Sequence, residues 1–110
     1  MHTVEALLCI YSTYESHLNH IHLSACWSSL GHLAKQSANK YWLHNYAEAL
    51  EPLAKHTTQA VDARKMGSRE LANIAHGAAS SNKGKHMGAL FMALGRAALA
   101  EQRMRDFNSQ

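Results

Sequence analysis

The chain has 110 residues, of which 46% are apolar, 7% are aromatic and one is Pro, and its formal net charge is +3. This length suffices for one small domain with a modest core, since small domains bury a smaller fraction of their surface. Abundant Ala and Leu with few β-branched residues predict an all-α protein and exclude a β-sheet protein. No apolar run in the sequence is long enough to cross a bilayer, so we expect no membrane partner.

Residues 1–19 form an N-terminal extension, in which the apolar spacing predicts a short amphipathic helix over residues 4–14. The stretch YSTYES has poor helix propensity, so the pattern does not fix where this helix ends. The first residues lack the basic n-region of a signal peptide and the Arg-rich character of an organellar transit peptide. No targeting peptide is therefore identified.

Two further helices are predicted before residue 64. The first is marked by apolar residues at helical spacing, namely Leu23, Trp27, Leu30 and Ala34. Trp27 suits the core, although a Trp can also stack on nucleic acid bases, as can Trp42. The other helix is marked by Leu43, Ala47, Leu50, Ala54 and Val61. It contains Pro52, which removes one backbone hydrogen bond, so we expect a kink or a new helix start near residue 50.

The last two predicted helices are separated by a turn at Asn82 and Gly84. The earlier one begins at Ser68, a good N-cap residue, and is marked by Leu71, Ile74, Ala75 and Ala78. The later one runs from about residue 87 to 106. It has apolar residues on two sides, with Leu90, Phe91 and Leu94 on one and Met92 and Leu99 on the other. Because such a helix needs two partners, we expect the isolated chain to self-associate or to be only partly ordered.

An imperfect internal repeat relates the later helices to the earlier ones. EALEPLAK at residues 48–55 matches GALFMALG at residues 88–95, an offset of 40 positions. Leu23 and Leu71, which anchor the other two helices, lie 48 positions apart. The period is therefore about 40 residues, and the first unit contains about eight additional residues.

A two-helix repeat of this period predicts an α-solenoid made of two antiparallel helix pairs in a right-handed stack. Residues 20–64 form the first repeat, with the insertion and the kink at Pro52, and residues 65–106 form the second. Residues 107–110 are interpreted as the start of a truncated third repeat. Leu, Phe and Trp side chains of the marked positions are expected between the pairs.

Charge is distributed unevenly along the chain. Residues 1–34 contain two acids and no Lys or Arg, whereas all eleven Lys and Arg residues come later, against six acids. This later section is moderately basic, and that favours a polyanionic partner.

Cysteine and histidine residues suggest a metal site only weakly. Cys9 and Cys26 are predicted to be free thiols, because two cysteines in an Ala-rich helical chain are typical of a reducing compartment. His17, His20, His22 and Cys26 are close in sequence, as zinc ligands often are. On one helix, however, His17 and His20 would share a face that His22 does not, so we expect no metal.

Enzymatic chemistry is not indicated either. No Ser/His/Asp or Cys/His pair has a recognisable local context, and the sequence has no Gly-rich loop that could hold a phosphate. We therefore expect no catalytic residues, no cofactor and no enzyme activity.

A candidate nucleic-acid site lies on the helix that begins at Ser68. Asn73 and His76 share one side of this helix, Arg69 precedes them by one turn, and Lys83 and Lys85 follow at the next turn. Amide, imidazole and cationic groups can bind base edges and phosphates. Two alternatives remain: the side is a solvated helix surface, or Asn73 forms a hydrogen bond between neighbouring helices.

The segments ACWSSLGHLAKQ, ALEPLAKHT, SRELANIAHGAAS and DFNSQ resemble octotricopeptide-type and heptatricopeptide-type helical repeats, over roughly residues 22–110. Leu71, Ala72 and Asn73 match the Leu-Ala-Asn helix of such repeats, whereas His76 stands where they often have Trp. The resemblance implies an α-solenoid that binds single-stranded RNA in organellar RNA processing, stability or translation, in a mitochondrion or chloroplast. The alternative is a protein-interaction solenoid that contacts neighbouring repeats or a partner protein.

Overall fold

The computed structural model describes residues 3–45, 47–63, 66–81 and 87–108. Within these residues the chain forms six α-helices and no strand, which confirms the all-α prediction. The helices are α1 (Val4–Tyr14), α2 (His20–Leu33), α3 (Ser37–Asn45), α4 (Glu51–Asp62), α5 (Ser68–Ser81) and α6 (Gly88–Asn108). Two short 3₁₀ turns lie at Glu15–His17 and Ala47–Leu50. No helix among the described residues is both long enough and apolar enough to span a membrane.

Side-chain caps begin the first two helices. The hydroxyl of Thr3 accepts a hydrogen bond from the backbone N–H of Ala6, and α1 then covers the predicted range, residues 4–14. At α2, the Asn19 side chain accepts from the N–H of His22, and the His22 ring accepts from the N–H of Asn19. This reciprocal pair satisfies two backbone donors that a helix start leaves without partners.

Pro52 lies in the first turn of α4, after α3 has ended at Asn45. A Pro in the first turn costs no helical hydrogen bond, because the first N–H groups of a helix have no acceptor within it. The predicted interruption near residue 50 is therefore confirmed, and it takes the form of a new helix start.

The backbones of α2 and α5 are in direct contact. A Cβ atom added to Gly77 would lie 2.0 Å from the carbonyl oxygen of Trp27, and one added to Gly31 would lie 2.9 Å from the Cα of Gly77. No side chain fits between the two helices at this point. The small residues of α5 thus serve a close helix–helix approach.

The contacts between α2 and α5 advance in the same direction along both helices. Asn73 bonds to Ser24, Gly77 lies against Trp27, and Gly31 lies closest to Gly77 and then to Ser80. Residue numbers increase in the same direction along both helices at these contacts, so α2 and α5 run parallel. Elsewhere α4 packs against α6, and α5 packs against α6.

Trp27 is fully buried and forms part of the core, as expected for its helical position. Its Nε1 donates to the hydroxyl of Thr57 at 2.8 Å, and that hydroxyl donates to the carbonyl oxygen of Leu53 at 2.7 Å. The indole N–H, which would be costly to bury unpaired, is therefore satisfied. Leu71 and Leu90, the anchors of α5 and α6, are buried in the same core.

The two sides of α6 differ in burial. Leu90 and Leu94 are buried, but Phe91 is 39% exposed, Met92 is 66% exposed and Leu99 is 57% exposed. The sequence pattern predicts Phe91 on the same side as Leu90, yet it lies about 100° around the helix from Leu90 and is partly exposed. One apolar side of α6 is thus uncovered by the described residues.

A buried amide fastens α1 to the turn between α2 and α3. The Asn39 side chain is 4% exposed and accepts from the backbone N–H of Val4 at 3.2 Å. Its Nδ2 donates to the carbonyl oxygen of Leu33 and to the side chain of Gln36. One polar side chain therefore joins three segments, and nothing in the apolar pattern indicated it.

Tyr11 joins α1 to α4. Its hydroxyl lies 3.1 Å from Nδ1 of His56 and 3.3 Å from the carbonyl oxygen of Pro52. Burial, with a further contribution from the Glu15 carboxylate, raises the pKa of the Tyr11 hydroxyl to about 12. The folded chain therefore retains this proton more tightly than an unfolded chain does.

Both cysteines are free, as predicted. Cys9 is exposed, and Cys26 is partly buried in α2. Burial raises the pKa of the Cys26 thiol, so the group stays protonated and poorly nucleophilic at neutral pH.

Replacing Gly77 by Ala should destabilise the chain by about 3 kcal/mol or more, because the added methyl group meets the backbone of Trp27 and must separate α2 from α5. Gly95→Ala is the matched control, since a Cβ atom at Gly95 in α6 has no neighbour within 4 Å. That control should be neutral or more stable by up to about 1 kcal/mol. Urea unfolding followed by circular dichroism measures both, and equal effects would contradict a backbone contact at Gly77.

Folding stability should fall as the pH rises from about 10 to about 12, because the unfolded Tyr11 loses its proton near its ordinary pKa of 10.0 while the folded one keeps it to about 12. Tyr11→Phe should abolish this part of the pH dependence. Tyr14→Phe, at an exposed position of the same helix, should leave it unchanged. Urea midpoints across this pH range test the expectation, and an identical pH profile for wild type and Tyr11→Phe would refute it.

Candidate nucleic-acid interface

Three of the five predicted site residues lie together on α5. Arg69, Asn73 and His76 are exposed and follow one another at intervals of four and three positions, so they share one side of the helix. Lys83 and Lys85 lie outside the described residues. The first three residues therefore supply one cation, one amide and one imidazole along two turns of α5.

Asn73 is also a contact between helices. Its Nδ2 donates to the hydroxyl of Ser24 on α2 at 3.3 Å, and Ser24 is 4% exposed. The alternative in which Asn73 ties neighbouring helices together is thus observed. A side-chain amide has two N–H donors and one oxygen acceptor, so this bond orients the amide and leaves capacity for a base contact.

Exposed residues of α2 extend the same surface, because α2 runs parallel to α5 at backbone contact. Ser28 and His32 on α2 and Lys35 just after it are exposed. On a helical projection Ser28 and His32 lie on the outer side of the α2–α5 contact, next to the row that contains Asn73, and Lys35 follows in the turn after α2. We call this surface the α2–α5 face, and its residues are Ser28, His32, Lys35, Arg69, Asn73, His76 and Ser80.

The α2–α5 face has positive charge and no acid. Lys35 and Arg69 are its cationic side chains, and the sequence has no Asp or Glu between Glu15 and Glu48. Glu70, the acid of α5, is partly buried and lies about 100° around the helix from Arg69. A surface with cations, imidazoles and hydroxyl groups and without acids can accept a phosphate backbone.

Base stacking on tryptophan is not available on this face. Trp27 is fully buried with its indole N–H bonded to Thr57, and Trp42 is partly buried against the core. The stacking alternative for Trp27 therefore fails. Contacts from the α2–α5 face to RNA would be hydrogen bonds and ion pairs.

The N-terminal histidines do not form one cluster. The sequence places His17 and His20 on one face of a single helix. In the structure His17 lies in a 3₁₀ turn and His20 begins α2, so the two residues are in different elements. The Nδ1 atom of His22 is occupied in the capping pair with Asn19. Among the described residues, no group of three or more His, Cys, Asp or Glu side chains could hold a metal ion.

The apolar pattern alone did not assign His32 and Lys35 to this site. They lie more than thirty positions before Arg69, and only the packing of α2 on α5 brings them to the same surface. The 48-residue offset between Leu23 and Leu71 was the available signal, because it pairs α2 with α5.

Comparison of the chain with protein-family models, with curated proteins and with solved structures finds no match. Its chemistry has to be inferred from its own residues. On that basis the α2–α5 face is the strongest candidate site for a polyanion.

Proposed function

We propose that this chain is an RNA-binding helical-repeat module whose α2–α5 face contacts single-stranded RNA. The observation that carries the proposal is the exposed, acid-free row of cationic, imidazole, amide and hydroxyl groups on two parallel helices. Lys35 and Arg69 lie near opposite ends of this row, about 20 Å apart along the helix axes at 1.5 Å per residue. A short extended segment of RNA would contact both cations through its phosphates.

The polar groups between these cations are suited to the unpaired bases of single-stranded RNA. Asn73 and His76 can donate and accept hydrogen bonds, as recognition of base edges requires. Those edges are accessible in unpaired RNA, whereas the deep major groove of an RNA duplex hides them from side chains. Arg69, Lys83 and Lys85 are assigned to phosphates, and Lys35 joins them from α2.

The repeat architecture is part of the same proposal. Residues 20–64 and 65–106 are two stacked units, in which α2 and α5 are equivalent helices and α4 and α6 are equivalent helices. The parallel packing of α2 on α5 and the packing of α4 on α6 support this assignment. With the resemblance to octotricopeptide-type repeats, it suggests a role in RNA processing, stability or translation in a mitochondrion or chloroplast.

A protein-interaction scaffold is the second candidate, and a groove between α5 and α6 favours it. The groove has a volume of about 590 Å³ and is lined partly by apolar residues, namely Leu71, Ala72, Ala75, Leu94 and Ala98. Grooves lined by small apolar side chains accept a helix of a partner protein.

The affinity of the full chain for a labelled single-stranded oligoribonucleotide should fall steeply with salt. Four phosphate contacts would give a slope of about −2.8 for the logarithm of the binding constant against the logarithm of salt concentration. The double variant Lys35→Glu with Arg69→Glu should weaken binding to all sequences alike and lower the magnitude of the slope by about 1.4, since phosphate contacts do not distinguish bases.

The matched control is Lys40→Glu with Lys55→Glu, which makes the same change in net charge at exposed positions of α3 and α4. This control should retain most of the affinity. Fluorescence anisotropy measures all three proteins. Equal losses in the two double variants would show binding by net charge alone, and binding that is insensitive to salt and to both variants would favour the protein-interaction scaffold.

Asn73→Ala should change the preference among bases by about 1 kcal/mol or less, the net contribution of one ordinary hydrogen bond. Ser24→Ala removes the same interhelical bond but keeps the amide, so it controls for an indirect effect of helix packing. Competition between homopolymeric oligoribonucleotides measures the preference. An equal change in both variants would remove Asn73 from the base contacts.

A further inference from the structure

Two residues of the α2–α5 face belong to the type whose charge ordinarily changes between pH 5 and 8. They are His32 on α2 and His76 on α5, and both are exposed. The other side chains of the face are hydroxyl, amide and cationic groups, of types that ordinarily do not titrate in this range. The charge of the face near neutral pH therefore depends on its two imidazoles.

Packing of α2 on α5 brings these imidazoles to one surface. Gly31, the residue before His32, lies closest to Gly77, the residue after His76. One position along a helix is a turn of about 100°. Because the two helices are parallel, one position forward from Gly31 and one position back from Gly77 turn to the same side of the contact. His32 and His76 therefore lie on the same outer side, between the ends of the row that Arg69 and Lys35 mark.

The helix α1 packs against α2 on a different side. Tyr11 of α1 interacts electrostatically with Cys26 of α2. Cys26 is about 120° around α2 from His32. The acids of this N-terminal segment are Glu5 and Glu15, and Glu15 is engaged with Tyr11. They thus belong to a segment that covers a side of α2 other than the side of His32.

The helix α4 also contacts α2 away from His32. Thr57 of α4 bonds to the buried Trp27 of α2, which is about 140° around that helix from His32. At its other end α4 has Asp62, which pairs with Arg96 of α6 at 3.0 Å. This carboxylate is therefore engaged between α4 and α6.

The acids closest in sequence or packing to His76 are also placed elsewhere. Glu70 on α5 is partly buried and lies about 120° around the helix from His76. Glu101 on α6 accepts a hydrogen bond from the hydroxyl of Ser68, which is about 12 Å before His76 along the axis of α5. The charged groups that share a side with the two imidazoles are thus the cations Lys35 and Arg69.

We propose that protonation of His32 and His76 strengthens the binding of single-stranded RNA to the α2–α5 face, so that this face is a pH-dependent polyanion site. The inference rests on the proposed function and names its regulation. Each protonated imidazole has one more positive charge and one more N–H donor than the neutral ring. The row of polar groups between Lys35 and Arg69 thereby gains two cations that can contact phosphates.

Binding of a fluorescent oligouridylate to the full chain at about pH 8 and about pH 5.5 tests this inference. Uracil and the phosphodiester groups do not titrate between these values, so a change in affinity comes from the protein. Two additional phosphate contacts should make the slope of the logarithm of the binding constant against the logarithm of salt concentration more negative by about 1.4 at the lower pH. At about 0.1 M salt the affinity should rise by about tenfold or more.

The double variant His32→Gln with His76→Gln should bind as the wild type does at pH 8 and lose most of the response to pH. Glutamine keeps a hydrogen-bond donor and an acceptor but does not titrate. His17→Gln with His44→Gln is the matched control, because it removes two exposed imidazoles outside the face. It should retain the response, and it thereby excludes a general effect of charging the nine histidines of the chain.

Circular dichroism at both pH values monitors the helices. This is needed because Nδ1 of His22 accepts a hydrogen bond at the start of α2 and would lose that role on protonation. Both double variants contain His22, so their difference in affinity at one pH isolates the effect of the face.

Failure of this inference is distinguishable from failure of the proposed function. Salt-dependent RNA binding with the same slope and affinity at both pH values would overturn the pH dependence and leave the RNA site in place. The same conclusion would follow if both double variants retained the response equally. Absence of RNA binding at both pH values would contradict the proposed function, and this inference with it.

Discussion

The contact between the backbones of α2 and α5 is the constraint on which the rest of the structure depends. At Gly77 the two helices are so close that even one methyl group has no space. This approach lets the Trp27 side chain extend beyond the pair and reach Thr57 on α4. The glycine contact joins α2 to α5, and the indole hydrogen bond joins α2 to α4.

The same contact creates the α2–α5 face. Two helices separated by large side chains would present two distinct ridges, whereas helices at backbone contact present their polar rows as neighbours. The hydrogen bond from Asn73 on α5 to Ser24 on α2 crosses the contact between the two helices. It orients the Asn73 amide where the polar rows of α2 and α5 meet. The proposed function therefore gives Asn73 a second role beside its role in packing, which is why a base contact by Asn73 has to be separated experimentally from the interhelical bond.

Much of the helical structure could be predicted from the sequence, because local rules determine it. Apolar spacing gave α1 and the core position of Trp27, and proline chemistry gave the interruption before α4. The burial of Asn39, the exposure of Phe91 and the inclusion of Lys35 in the candidate site could not be predicted in this way. Each depends on which helices pack together, and contacts between residues far apart in sequence decide that.

The size of the α2–α5 face limits the affinity for RNA that the proposed function gives to one copy of this chain. The α2–α5 face of one copy offers few phosphate contacts, so its affinity for RNA would be modest and strongly dependent on salt. Neighbouring repeats in a longer solenoid would place several such faces along one polypeptide. A single RNA strand could then contact several faces, and after the first contact the later ones would be intramolecular. Under the proposed function, a chain with one such face would therefore bind RNA less tightly than a longer array of the same repeat.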